Sequence, residues 1–304
     1  MGTSINIPDL LTIVYVLVDD WYQAQGQAML RGKPGVKPSF SDSEMLTLMM
    51  AQEIVPYPGE TQFVEFMRAN YRDLFPGLVD QSQFNRRARG LRWLMEALRQ
   101  DWVVRLGVVN PTKLLVDTKP VPVMGYTRSK KRSDFAGSAA YGYCAARQLH
   151  YFGYKLVMLT TLDGVPLLYD LVPANWEERD AADVLLQRVH DCDVFGDKGF
   201  LGHDWQASVR TETGNRVWTV KRANQADQNP PEFDQLLRHV RERIEGVFHR
   251  LQNTGRNLER LLAKTVHGLS TRVIAKVTAL VLKILLRRCF AIDIQAFQVL
   301  SNSH

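Results

Sequence analysis

Two short apolar runs each end in an aspartate, and this pattern constrains the chain more than any other. Leu114, Leu115 and Val116 lead into Asp117 and then Thr118-Lys119-Pro120, while Val194, Phe195 and Gly196 lead into Asp197 and then Lys198-Gly199. Runs of this kind read as short buried strands. Each strand therefore delivers a carboxylate to its tip. An ionised carboxylate taken out of water without a partner costs on the order of several kcal/mol or takes up a proton, and a divalent cation is the partner that keeps it charged.

A third acid stands on a helix. Leu236, Val240, Ile244, Val247 and Leu251 recur at steps of three and four and form an apolar stripe. At about 100° per residue, Arg238, Arg241, Glu245 and Gln252 fall on a polar rail beside it. Taken singly, each acid has an ordinary reading: an aspartate before Lys-Gly is a turn residue, and a glutamate flanked by arginine makes a surface ion pair. Taken together, Asp117, Asp197 and Glu245 are an all-oxygen ligand set suited to a pair of Mg²⁺ or Mn²⁺ ions. Such ions activate an attacking oxygen and stabilise a leaving one in phosphoryl transfer.

The basic residues are placed accordingly. The net charge of +6 over 304 residues favours a polyanionic partner. Arg128, Lys130, Lys131 and Arg132 follow the first acid-bearing strand, either as a solvated loop or as phosphate contacts, and proximity to Asp117 favours the latter. Lys119, Lys198 and Arg241 flank the acids and are candidate phosphate contacts. Cys144, Cys192 and Cys289 form no CxxC pair and read as reduced core thiols of an intracellular protein. His190 and Cys192 are too few for a zinc site. No stretch is long and apolar enough to read as a membrane span or signal core.

Residues 1–108 read as an all-helical domain. Leu10, Ile13, Val14 and Val18 mark one amphipathic helix, Ser41 and Glu44 form a capping box before Met45-Leu46-Leu48, and a further helix covers 60–70. Residues 83–99 are helical and basic, with Arg86, Arg87, Arg89 and Arg92. This helix is either a groove-reading helix of a helix-turn-helix or a solvated face. The second domain, 109–290, begins after Asn110-Pro111, and 291–304 form a tail. Strands are expected at 113–123, 151–161, 165–172, 193–197 and 216–221, with Asp163-Gly164 as a hairpin turn. Asn175 is expected to cap the helix after the third strand, with Glu178 in a capping-box-like contact. An amphipathic helix over 269–290 is expected to close against the sheet.

These motifs together resemble the DDE transposases of bacterial insertion sequences, most closely the insertion-sequence 982 type. The resemblance rests on LeuValAspThrLysProValPro at 115–122, TyrGlyTyrCysAlaAla at 141–146, the hairpin from TyrPheGlyTyrLysLeu to AspGlyValPro, ProAlaAsn with downstream Asp180, GlyAspLysGlyPhe at 196–200 and ArgIleGluGlyValPhe at 243–248. It implies an α/β fold with a ribonuclease-H-like mixed sheet flanked by helices, in which an antiparallel three-strand meander and parallel strands set Asp117 beside Asp197. It further implies Asp117, Asp197 and Glu245 as catalytic acids and two Mg²⁺ (or Mn²⁺) ions. The implied substrate is double-stranded DNA, both terminal inverted repeats and target, acted on by a homodimer or higher oligomer at the bacterial nucleoid. Arg241 and Glu245 match the Tyr-x2-Arg-x3-Glu-x6-Lys signature of related transposases, whereas Arg238 and Gln252 stand where Tyr and Lys would be. Asp197 and Glu245 stand only 48 positions apart, too close for a large insertion domain, so the site is expected to be open. The alternatives are a ribonuclease-H-like nuclease that stops at hydrolysis and a catalytically silent transposase-derived DNA-binding protein.

Overall fold

The structure, a computed structural model, describes residues 5–30, 38–55, 57, 59–126, 133–144, 148–221, 228–253 and 257–294. The chain divides into two compact units. One comprises Met1–Leu106, Asn253–Asn257 and His267–His304, and the other Gly107–Gln252 and Leu258–Val266.

The first unit is helical: α1 (Ile7–Trp21) running through a π-helical turn into the short α2 (Gln27–Met29), then α3 (Asp42–Ala51), α4 (Glu60–Asn70), α5 (Gln81–Arg105) and α9 (Val266–Phe290), nearly all of which lies in this unit. The expected capping box closes the start of α3: Glu44 N–H donates to Ser41 Oγ at 3.1 Å, and Ser41 N–H donates to the Glu44 carboxylate at 2.6 Å. Two otherwise orphaned donors of the first turn are thereby satisfied. Asp80 caps α5 in the same way through Gln83 N–H. The apolar residues of these helices, among them Val18, Trp21, Met45, Leu48, Phe63, Phe84, Leu94 and Trp102, are buried. The sequence expects 269–290 to close against the sheet, and the division into compact units groups them with the helices. Residues 269–290 belong to the helical unit, and the reason is visible in their composition: apolar residues surround buried Lys276, whose Nζ lies 3.2 Å from the equally buried Glu53 of the same unit.

The second unit is a mixed sheet with helices. Its strands are β1 (Lys113–Met124), β2 (Ala140–Cys144), β3 (Leu149–Thr161), β4 (Pro166–Pro173), β5 (Asp193–Gly196) and β6 (Arg216–Thr219), and its helices are α6 (Glu178–Leu186), α7 (His203–Thr213) and α8 (Pro231–Asn253). The order is β2-β3-β1-β5-β6, with β4 also pairing β3. Pairings within β1 to β4 are antiparallel, and β1 with β5 and β5 with β6 are parallel. The expected meander of β1, β3 and β4 is present, and β2 extends it as a strand that periodicity alone does not mark. At the β3–β4 turn Gly164 takes φ +82°, a conformation open to glycine at no steric cost, and its N–H donates to Thr161 O at 2.9 Å. Leu114, Val116, Val157, Leu159, Ala181, Ala182, Leu185 and Val194 form the core between the sheet and α6. The packed stripe of α8 is Leu237, Val240, Ile244, Val247, Phe248 and Leu251, whereas Leu236 is 51% exposed. The register begins one residue later than the spacing predicts because Leu237, not Leu236, continues the buried face from Val240.

Candidate active site

Parallel pairing of β1 with β5 aligns the two aspartates. The strands are in register at Lys113 with Asp193, Leu114 with Val194 and Leu115 with Phe195, and the same register continued past the last pair sets Asp117 beside Asp197. β5 stops at Gly196, and Asp197 caps a 3-10 turn at Lys198–Phe200, its Oδ1 accepting from Gly199 N–H at 2.7 Å. Asp117 Oδ1 accepts from Thr118 N–H, also at 2.7 Å.

A third carboxylate joins the pair. Glu178, the first residue of α6, accepts a hydrogen bond from Thr118 Oγ1 at 3.2 Å. Its Oε2 stands 1.4 Å from where a Cβ on residue 199 would be built, so the glycine at 199 is what admits this carboxylate beside Asp197. The electrostatics record the convergence. Burial pushes the Asp117 carboxyl up to about 7, with the charges of Asp197 and Glu178 adding to the rise and the Thr118 N–H and Arg241 guanidinium opposing it. Glu178 is also raised, first by burial and then by Asp197, against Lys155, the Thr118 hydroxyl and Arg241.

The capping-box expectation for Asn175 and Glu178 is corrected here. Glu177 occupies the N-cap, no side chain caps the helix, and Glu178 turns to Thr118 on β1. The carboxylate makes a hydrogen bond across to the sheet instead of a local one, which sequence spacing alone does not distinguish. An acid in the first turn of the helix that packs on the first acid-bearing strand is the signal by which it could be found.

Glu245 is elsewhere on its helix. It is half-exposed, 57% by side chain, and its Oε1 takes a 3.1 Å ion pair from Arg241. The α8 charge felt at Asp117 and Glu178 is that of Arg241. Among the described residues, no three His, Cys, Asp or Glu side chains are gathered so as to hold a metal ion. The chemistry at the strand ends nonetheless fits a hard divalent cation: the donors are carboxylate oxygens, and the burial and repulsion that raise Asp117 are what a cation would relieve. Glu245, committed to Arg241, does not fit that set in this arrangement.

The basic candidates separate by environment. Lys119 is partly buried on β1 and Lys198 is exposed in the 3-10 turn after Asp197. Lys155, which the sequence does not single out, donates from Nζ to Trp176 O and its charge acts on Glu178. In the helical unit Arg86 is exposed, while Arg87 is committed to α3: it donates to Phe40 O at 2.6 Å, pairs with Asp42 at 2.8 Å and stacks its guanidinium 5.6 Å from the Phe40 ring centroid. Arg89 Nε bonds Asn85 O at 3.4 Å, and Arg92 bonds Arg89 O at 2.8 Å. Arg128, Lys130, Lys131 and Arg132 lie outside the described residues. Of the cysteines, Cys192 is buried with Sγ on the carbonyls of Pro111 and His190, Cys144 is half-buried, and Cys289 is exposed. Cys289 is thus not the core thiol expected, since it lies in the last turn of α9 among exposed residues.

A family model described as Transposase DDE domain matches residues 110–282, more than half of the chain. No curated protein matches the chain, and no solved structure does. The mixed sheet flanked by helices agrees with the ribonuclease-H-like fold of that family. No helix among the described residues is long and apolar enough to cross a membrane.

Proposed function

The chain belongs to the DDE transposases, and on that premise we propose that it cuts DNA at the ends of an insertion sequence and joins the freed 3′-hydroxyl to target DNA, with Asp117 and Asp197 at the reacting phosphate. The observation that carries the reading is geometric: the parallel register of β1 with β5 sets Asp117 beside Asp197 at adjacent strand ends, with Glu178 brought in against Thr118 and Gly199, and carboxylates gathered in a buried setting suit a site that takes up positive charge. Two Mg²⁺ or Mn²⁺ ions, when bound, supply activation of the attacking oxygen and charge stabilisation of the leaving one. Asp117 and Asp197 would hold them from adjacent strand ends. Arg241, Lys119 and Lys198 orient the scissile phosphate.

Glu245 completes the acid set in this reading. Its partner Arg241 is also the cation felt by Asp117, so a DNA phosphate that draws Arg241 away leaves Glu245 free to turn inward. A second reading has one observation in its favour: Glu178 already stands against Thr118 and beside Gly199, on the Asp197 side of the site, and is the acid placed to take the third position. In both readings the motifs around Asp117, Asp197 and Glu245 point to the insertion-sequence 982 type, the helical unit binds the element ends, and the working form on DNA is a dimer or larger oligomer.

Purified protein, Mg²⁺ and DNA from the flanks of the coding sequence, resolved on a gel, test binding, cleavage and joining together. Asp117→Asn and Asp197→Asn should bind DNA and leave it uncut, and cutting at wild-type rate by either would sink the assignment. Glu245→Gln and Glu178→Gln, measured side by side, decide the third carboxylate.

A further inference from the structure

A groove of about 750 Å³ runs between α7 and the edge strand β6. On one wall His203, Gln206, Ala207 and Arg210 recur at steps of three, one and three, a single face of α7. On the other, Arg216 and Trp218 share a face of β6, as alternate residues of a strand must. Gln206 ties the walls together, its Nε2 donating to Val217 O at 3.0 Å and satisfying a carbonyl of the sheet edge.

The groove is chemically one-sided. Arg210, Arg216 and Lys221 line it, and among the described lining residues there is no carboxylate. Arg210 and Arg216 are exposed, and neither makes an ion pair with another described residue. Trp218 is 36% exposed and held in place, its Nε1 donating to Asp193 at 2.9 Å and its ring meeting Phe233 edge-on at 5.4 Å. Position completes the picture. β5 and β6 run parallel with Gly196 opposite Thr219, and the chain leaving Asp197 passes through Lys198–Phe200 to Leu201 and His203 on the groove wall. The groove therefore opens at the end of the sheet that bears Asp197.

We infer that this groove is a binding track for a DNA strand, with Arg210, Arg216 and Lys221 on successive backbone phosphates and the Trp218 ring as a stacking surface for a base. Exposed arginines with no ion pair to another described residue, lining a cleft beside an indole whose Nε1 occupies the nearby Asp193 carboxylate, are a combination that holds a nucleic-acid strand without reading its sequence. The assignment rests on the phosphoryl-transfer reading of the neighbouring aspartates and adds where the strand passes after it leaves them.

The test is an Arg210→Gln, Arg216→Gln double variant of the full chain, compared with wild type for binding to duplex DNA from the element flank, to scrambled duplex and to a single strand, over a salt series. Both residues are exposed, so melting temperature should hold. The slope of log affinity against log salt should flatten by about 0.9 for each arginine on duplex, and equally for flank and scrambled DNA. Trp218→Leu should weaken single-strand binding about tenfold or more, with Trp218→Phe retaining most of it. If wild type binds and cuts DNA while the double variant keeps its affinity and slope, the groove assignment falls and the reading of the aspartates stands. If wild type binds no DNA, both fall.

Discussion

Asp117 is the residue at which fold and chemistry conflict most directly, and pH separates them. With its carboxyl at about 7 in the folded chain against an ordinary 3.8, the native state keeps a proton that the unfolded state has lost between those values. This group therefore withdraws stability as pH rises from about 4 to about 7 and has no further effect above. Asp117→Asn removes the slope: its unfolding free energy should exceed that of wild type by a margin that grows across this window, toward on the order of 2–4 kcal/mol, read from denaturant unfolding at a series of pH values. A margin that is constant with pH would show that Asp117 is ionised throughout. The neighbouring Gly199 offers a second probe of Glu178. An added Cβ would meet the Glu178 carboxylate first and Asp197 Oδ1 at 2.9 Å, so Gly199→Ala should push the Glu178 carboxylate off Asp197, and comparison with Glu178→Gln separates that effect from a shift of Asp197. If cleavage survives that change undiminished, Glu178 is not at the reacting centre.

At the scale of elements, what is legible in the sequence is what local patterning controls. Ser41 and Glu44 announce the start of α3, Asp163-Gly164 announces a turn that needs a positive φ, and apolar runs mark β1, β3, β4, β5 and β6 because each buries side chains on a predictable period. β2 escapes such a reading because Ala140–Cys144 alternates tyrosine with small residues and owes its place to pairing with β3, a tertiary cause. Glu178 escapes it because its hydrogen bond reaches across to Thr118, sixty residues away in sequence. The periodicity of α9 does not name its neighbours, because a helix buried on most sides does not say what buries it. Lys276 is the residue that does. Paired with Glu53 in a dry interior, it should cost about 3–5 kcal/mol when replaced alone by Met, since Glu53 is left charged and buried. The double change Lys276→Met, Glu53→Leu should recover most of that loss. Denaturant unfolding measures both, and a single variant as stable as wild type would mean that the pair contributes nothing to the helical unit.

At the scale of the whole molecule, a net charge of +6 says that the chain is drawn to polyanions but not how it tells one DNA from another. Selectivity has to come from side chains that reach base edges, whereas phosphate contacts add affinity to every sequence alike. The arginines of α5 divide on this point. Arg87 is occupied in holding α3, so its removal would report folding as much as recognition and it is best left in place. Arg86, Arg89 and Arg92 are the informative set: Arg86→Ala, Arg89→Ala, Arg92→Ala together should cost preference for the element flank over scrambled duplex, on the order of 1–3 kcal/mol for each base edge that is no longer read. Neutralising Arg128, Lys130, Lys131 and Arg132 should instead lower affinity for both duplexes equally and flatten the salt dependence, because fewer counterions are released. Anisotropy titrations of the two variants against the two duplexes over a salt series measure the difference. If the α5 variant keeps the full preference for flank DNA, that helix is a solvated face, and the selection of element ends must lie in another part of the chain or in the pairing of two protomers.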